Sequence, residues 1–166
     1  LLEPLMHTRP RGFTLLELML TLAIVSVLLT LALPSFGSIV SRHRLKAAAE
    51  QLAADLGELR FLAAQRGVPL HLQVQAGAQW CYALATASGC DCRVSQACQL
   101  KTVRAQDHPG VALLEGHDLR FDGNPAGADA ALLQGSEGAR LRVAVTPLGR
   151  PKICTPDGAV PGYPAC

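Results

Sequence analysis

Arg11-Gly12-Phe13-Thr14-Leu15-Leu16-Glu17-Leu18 opens an apolar run that ends at Pro34, Ser35 and Phe36, and the rest of the chain is organised around it. From Phe13 to Phe36, 24 residues carry one charge, Glu17, and they follow a short stub that holds Arg9 and Arg11. As a helix rising about 1.5 Å per residue, the run is about 36 Å long, enough to cross about 30 Å of bilayer hydrocarbon with some tilt. A carboxylate so near the start of a span is costly there, and such residues are kept for a task. Pro34 lacks a backbone donor and is expected to bend or loosen the helix near Thr30.

Three readings of this segment compete. A cleaved secretory signal has a shorter apolar core, no acid inside it and a small-x-small site after it, whereas Leu33-Pro34-Ser35 is a poor cleavage context. A plain N-terminal anchor explains the length and the basic flank but not Glu17. The third is a signal cut between Gly12 and Phe13 whose apolar region stays on the mature chain. The eight residues from Arg11 to Leu18 closely resemble the prepilin peptidase site of type IV pilins and type II secretion pseudopilins: Gly before the cut, Phe after it, and Glu five residues into the mature chain.

The resemblance implies a leader at residues 1–12, with Met6 as a candidate start, and a mature N-terminus at Phe13 that is N-methylated. Arg9 and Arg11 then keep the leader cytoplasmic. Residues 13–36 form a helix that spans the inner membrane once, with the C-terminal domain in the periplasm, before entering the core of a pilus or pseudopilus. The implied partners are other major and minor pilins or pseudopilins, the prepilin peptidase and the inner-membrane assembly platform. Glu17 would neutralise the free amine of Phe13 on an adjacent subunit, because opposite charges attract far more strongly in an apolar bundle than in water. Pro34 is a position at which pilins often carry proline.

The helix is expected to continue past Phe36. Leu45, Ala49, Leu52, Leu56, Leu59 and Ala63 recur at alternating spacings of four and three, an amphipathic stripe. Arg44, Lys46, Glu50, Asp55 and Glu58 lie largely off it. Gly67 followed by Pro69 ends the element, so residues 37–66 read as the amphipathic half of one long helix, on the order of 80 Å in all. From residue 67 to 166 the texture is that of a small β-rich domain. Candidate strands are Leu70 to Val74, Trp80 to Thr86, Val111 to Leu114, Leu119 to Phe121 and Leu141 to Thr146, with Asp122-Gly123-Asn124-Pro125 as a turn. The expected fold is α+β, the type IV pilin-like arrangement of a long N-terminal helix packed on an antiparallel sheet.

Six cysteines, Cys81, Cys90, Cys92, Cys98, Cys154 and Cys166, point to an oxidising compartment. Cys154 and Cys166 enclose a Pro/Gly-rich tail with little other means of ordering itself, which favours pairing them. The remaining four allow three connectivities, of which Cys90 to Cys92 is the least favourable geometrically. Zinc is the rival use, but these spacings lack the paired C-x2-C of zinc modules; neither metal nor cofactor is expected.

No catalytic constellation stands out, and an enzyme is not expected. His7, His43, His71, His108 and His117 are scattered, Asp118 and Asp122 flank a strand and turn, and Ser136 lies in no nucleophile elbow. Gly135-Ser136-Glu137-Gly138 has no lysine and no following helix pattern to cradle phosphate. Net charge is only +2, yet Arg140, Arg142, Arg150 and Lys152 fall between Gly138 and Cys154 with no acid among them.

Thr146-Pro147-Leu148-Gly149-Arg150-Pro151-Lys152-Ile153-Cys154 resembles the glycine-arginine-x-arginine tail of the GspH/FimT family, as do Phe121 with the Gly123 turn and the Leu141 strand. The family includes a minor pilin that binds DNA in natural transformation. The resemblance implies a minor pilin that holds double-stranded DNA through Gly149, Arg150 and Lys152, helped by Arg140 and Arg142, by phosphate contacts that do not read bases. Two departures stand out: Lys152 replaces an arginine and loses the bidentate fork, and Pro151 removes a donor. The alternatives are a structural minor pseudopilin of a type II secretion system, a minor pilin that primes pilus assembly, and a surface adhesin.

Overall fold

Helix-favouring leucine and alanine recur from Leu15 to Leu33 and again from Leu45 to Ala64, and helix α1 spans Leu15–Arg66. The computed structural model describes residues 12–122, 127–158 and 160–166, with the side chains of residues 31–35 outside that set. The turn at Gly123 to Pro125, the stub with Arg9 and Arg11, and the side chain of Pro34 therefore lie outside the described residues. The chain divides into two compact units, Leu1–Gly37 and Ser38–Cys166.

In the first unit the described apolar side chains have no protein core to enter. Phe13 is 81% exposed, Leu16 78%, and even the least exposed large one, Val25, is 48% exposed. A continuous apolar surface of this kind marks a segment made to be covered by lipid or by other chains. Among the described residues no helix is long and apolar enough to cross a membrane; the side chains of residues 31–35, which continue the apolar run in the sequence, lie outside the described set.

The second unit has its own core. Leu45, Ala49, Leu52, Leu56, Leu59 and Ala63 are all buried, with Ala48 beside them, so the stripe legible in the sequence is the packed face of α1. Eight strands among the described residues complete the unit. They are β1 Leu70–Gln75, β2 Cys81–Ala85, β3 Gln99–Arg104, β4 Val111–Gly116, β5 Leu119–Phe121, β6 Ala128–Gly135, β7 Arg140–Val145 and β8 Pro151–Cys154. They form two antiparallel four-stranded sheets instead of the one expected, in the orders β3-β2-β1-β5 and β4-β6-β7-β8. Residues Leu70, Leu72, Tyr82, Leu84 and Phe121 of the first sheet and Leu113, Leu133, Leu141, Val143 and Val145 of the second join the α1 stripe in one apolar cluster.

Asp55 corrects the helix reading. It lies on the packed face, 3% exposed, and its Oδ2 accepts from Tyr82 Oη at 2.9 Å while Oδ1 accepts from Lys101 Nζ at 2.6 Å. A buried carboxylate is tolerated only with such partners, and these come from β2 and β3. Burial, with the adjacent Asp55 charge, pushes the Tyr82 phenol well above its usual range.

All six cysteines are bonded: Cys81 to Cys92, Cys90 to Cys98, and Cys154 to Cys166. The last bond returns the tail to β8, where Thr155 N–H donates to Pro164 O at 2.9 Å and Cys166 N–H to Thr155 O at 3.2 Å. Lys46 and Glu50 of α1 hold the same tail, Lys46 Nζ donating to Pro161 O at 2.8 Å and Glu50 accepting from the Tyr163 hydroxyl. Gly116, at the end of β4, is a close approach: a Cβ there would stand 2.3 Å from Val74 Cγ1.

Candidate processing segment and basic hairpin

Residues Gly12 to Thr14 precede α1, are non-helical and are exposed. Thr14 is the N-cap: its Oγ1 accepts from the Glu17 N–H at 3.2 Å, and its carbonyl accepts from Leu18 N–H at 3.1 Å. Thr14-x-x-Glu17 is the spacing of a capping box, a signal present in the sequence that identifies Thr14 as the residue fixing where the helix starts. The Gly12–Phe13 peptide thus sits outside the helix, in exposed backbone of the kind that proteases cut.

Every described hydroxyl from residue 15 to residue 30 is satisfied inside its own helix. Thr21 Oγ1 donates to Leu18 O at 2.8 Å, Ser26 Oγ to Ala23 O at 2.8 Å, and Thr30 Oγ1 to Val27 O at 2.7 Å. These bonds let serine and threonine face an apolar medium. The Glu17 carboxylate has no such bond among the described residues. It lies in the first turn of α1, where the positive end of the helix dipole favours a negative charge. Glu17 is therefore the polar side chain of this stretch that still lacks a partner.

The basic cluster lies on the β7–β8 hairpin. Gly149 adopts φ +74°, a left-handed conformation that glycine takes without strain. Its N–H donates to Thr146 O at 2.8 Å, closing the turn, and the next N–H, of Arg150, donates to Thr146 Oγ1 at 3.1 Å. Lys152 is in β8, so the stretch read in the sequence as a tail is in part a strand. β8 is an edge strand that pairs with β7 alone, so Pro151 can begin it at little cost despite its missing N–H.

The structure separates the four cations into two pairs. Arg140 is bound to Asp157 through two parallel bonds, Nε at 2.7 Å and Nη2 at 2.8 Å, and this carboxylate keeps its guanidinium above the ordinary value. Arg142 Nη1 donates to Asp129 Oδ2 at 2.9 Å. Both expected helpers are thus neutralised by acids from outside the 138–154 segment, which corrects the reading of four convergent charges. Arg150 and Lys152 are exposed, two residues apart, and have no side-chain partner among the described residues.

The scattered candidates stay apart. Asp118 Oδ1 accepts from Val74 N–H at 2.8 Å, and Asp122 pairs with Arg120 at 3.2 Å. Ser136, in the β6–β7 turn, bonds Ser41 of α1 at 2.8 Å. His108 stacks on Trp80 and meets Gln51 Oε1 at 3.0 Å, and burial lowers its pKa against the opposing pull of Asp107. His43, His71 and His117 join no cluster, and among the described residues no group of side chains has a metal-holding arrangement.

Comparison with known proteins adds one match. The prokaryotic N-terminal methylation motif covers residues 8–33, which takes in the Gly12–Phe13 peptide, the Thr14 cap and Glu17. No curated protein and no solved structure matches the chain. The motif supports a type IV pilin-like protein with an N-terminal hydrophobic anchor, and it implies processing by prepilin peptidase and assembly with other pilins.

Proposed function

Starting from a type IV pilin-like chain, we propose that this protein is a minor pilin of the GspH/FimT type that binds double-stranded DNA without sequence preference for uptake in natural transformation. Prepilin peptidase cuts between Gly12 and Phe13, and the new N-terminus is methylated. The chain waits in the inner membrane with its second unit in the periplasm until the assembly platform inserts it into a filament. There Glu17, without a partner among the described residues, meets the amine of a neighbouring Phe13.

The observation that carries the DNA reading is the division of charge on the hairpin. Arg150 and Lys152 remain free and exposed beside a glycine turn, while Arg140 and Arg142 are already engaged. Two free cations suit phosphate contacts that position a duplex without reading it. Such contacts are weak singly and gain strength when several copies act along one filament. Gel shifts with the full chain in an uncharged detergent test this. The parent retards random-sequence duplex, and Arg150→Ala/Lys152→Ala does not; equal retardation by both removes the site.

The unsatisfied Glu17 and the bare apolar surface of the first unit also support a second reading, a structural subunit that primes a pilus or caps a type II secretion pseudopilus. Deleting the chain separates the two. Loss of filaments while hairpin variants transform normally favours the structural role.

A further inference from the structure

A second concentration of free positive charge lies far from the hairpin in the sequence, on the first sheet. Arg93 and Arg104 line one cavity of about 290 Å3, together with Gln79, Trp80, Cys81 and Gln106, and no acidic side chain lines it. Cys81 anchors both arginines. Its disulfide partner Cys92 immediately precedes Arg93, and its cross-strand partner in the β2–β3 ladder is Arg104. The two nearest acids in the sequence are turned to backbone: Asp91 Oδ1 accepts from Arg93 N–H at 2.9 Å, and Asp107 Oδ2 from Arg104 N–H at 2.8 Å. Neither guanidinium forms an ion pair among the described residues, whereas Arg120, Arg140 and Arg142 all do.

We propose that Arg93 and Arg104 form a binding site for the phosphate group of a small soluble ligand, held beside Trp80 by the Cys81–Cys92 disulfide. Guanidinium forks match the oxygen geometry of phosphate. Two of them supply two positive charges, which suits a dianionic terminal phosphate better than a single carboxylate. The cavity lies at the lower end of the range of about 300–1,000 Å3 for small-molecule sites, which fits a phosphate with a short substituent and not a duplex. Gln79 and Gln106 add amide donors at its rim. The site goes beyond the proposed hairpin function and stands or falls separately from it, because Cys81 is in β2, Arg104 in β3 and Arg93 in the loop between them, with Gln79 and Trp80 just before β2 and Gln106 just after β3.

Trp80 is the single tryptophan of the chain and is among the residues that line this cavity, while its side chain is buried in the core with Nε1 donating to Val111 O, so its emission reports on the site through the residues packed around it. The full chain in uncharged detergent is titrated with inorganic pyrophosphate at constant ionic strength, with sodium chloride as the matched control. A saturable change in Trp80 emission is expected, absent with chloride. Arg93→Gln and Arg104→Gln should each raise the half-saturating concentration about tenfold or more, as losing one charged hydrogen-bonding partner does, and Arg150→Gln should leave it unchanged. Arg93 is exposed and outside every strand, so Arg93→Gln keeps the fold; phosphorus-31 line broadening of pyrophosphate, present with the parent and reduced by that single substitution, is the second readout. Absence of saturation in the parent, or a parental response in Arg93→Gln/Arg104→Gln, overturns the proposal. So does duplex DNA affinity that falls in the double variant while pyrophosphate fails to bind.

Discussion

Removing the charge of Arg150 and Lys152 should abolish nearly all of the salt dependence of DNA binding, and the structure sets how large that dependence is. Each phosphate neutralised contributes about −0.9 to the slope of log K against log salt concentration. Four free cations would give about −3.6, a loss of about 150-fold in affinity between 0.05 and 0.2 M salt. Because Arg140 is held by Asp157 and Arg142 by Asp129, only two charges of the hairpin cluster remain to release counterions. The slope is then about −1.8, a loss of about twelvefold over the same range. Fluorescence anisotropy with a labelled random-sequence duplex, run across that range on the monomeric full chain in uncharged detergent, measures it. Arg150→Ala/Lys152→Ala should bring the slope close to zero. Arg142→Ala/Asp129→Ala, which removes a pair and leaves the net charge alone, should keep it near −1.8. A parental slope near −3.6, or a slope in Arg150→Ala/Lys152→Ala equal to the parent's, refutes the division of the cluster into paired and free cations.

Three further outcomes concern the fold. Asp55→Ala strands the buried Tyr82 hydroxyl and leaves Lys101, whose side chain is 41% exposed, to solvent, and should cost about 2 kcal/mol in denaturant unfolding; a double-mutant cycle with Tyr82→Phe should show coupling of at least about 0.5 kcal/mol, and additive costs would break the link. Replacing Cys154 and Cys166 by alanine removes a bond closing a separation of 12 residues and should cost about 3 kcal/mol by loop entropy; proteolysis should then cut first between Thr155 and Cys166, and a protected tail would contradict this. Because burial holds the folded His108 below its ordinary value of 6.5, the unfolded chain binds the proton more readily. Stability from this group is therefore complete above pH 6.5 and falls as pH drops from there through the lowered folded value. Thermal melts of His108→Gln should lose that descent, and a parental pH profile in the variant would count against it.

What the sequence made visible is what depends on local period. The six α1 stripe residues and the alternating strands β1 and β7 show it, because a helix face or a half-buried strand repeats along the chain, while the boundary at Gly67 and the strands β2, β4 and β5 show in local composition. Three strands show neither. β3 is a sheet edge with exposed residues on both faces, so Gln99 to Arg104 has no clean alternation. β6 is interrupted by a register shift between Asp129 and Ala131, which breaks the period of two. β8 begins with proline, a residue that argues against a strand anywhere but an edge.

The site divides along the same line. Gly12, Phe13 and Glu17 form a contiguous pattern, and the Thr14 cap was within reach through its spacing to Glu17. The pairing of Arg140 with Asp157 and of Arg142 with Asp129 arises only when strands and tail are brought together, so a count of charges along the chain overstated the free cluster. The meeting of Arg93 and Arg104 has the same origin, since it is the Cys81–Cys92 bond and the β2–β3 ladder that bring them to one cavity.

The account rests on an apolar helix released at Phe13 and carrying one unpartnered acid. Intact-mass and fragment analysis of the chain recovered from membranes of cells with an active prepilin peptidase tests it most directly. The account predicts a mature polypeptide that begins at Phe13 with one added methyl group, and an uncut chain when the peptidase is absent. A mature N-terminus at any other residue, or cleavage at Phe13 that persists without the peptidase, contradicts it.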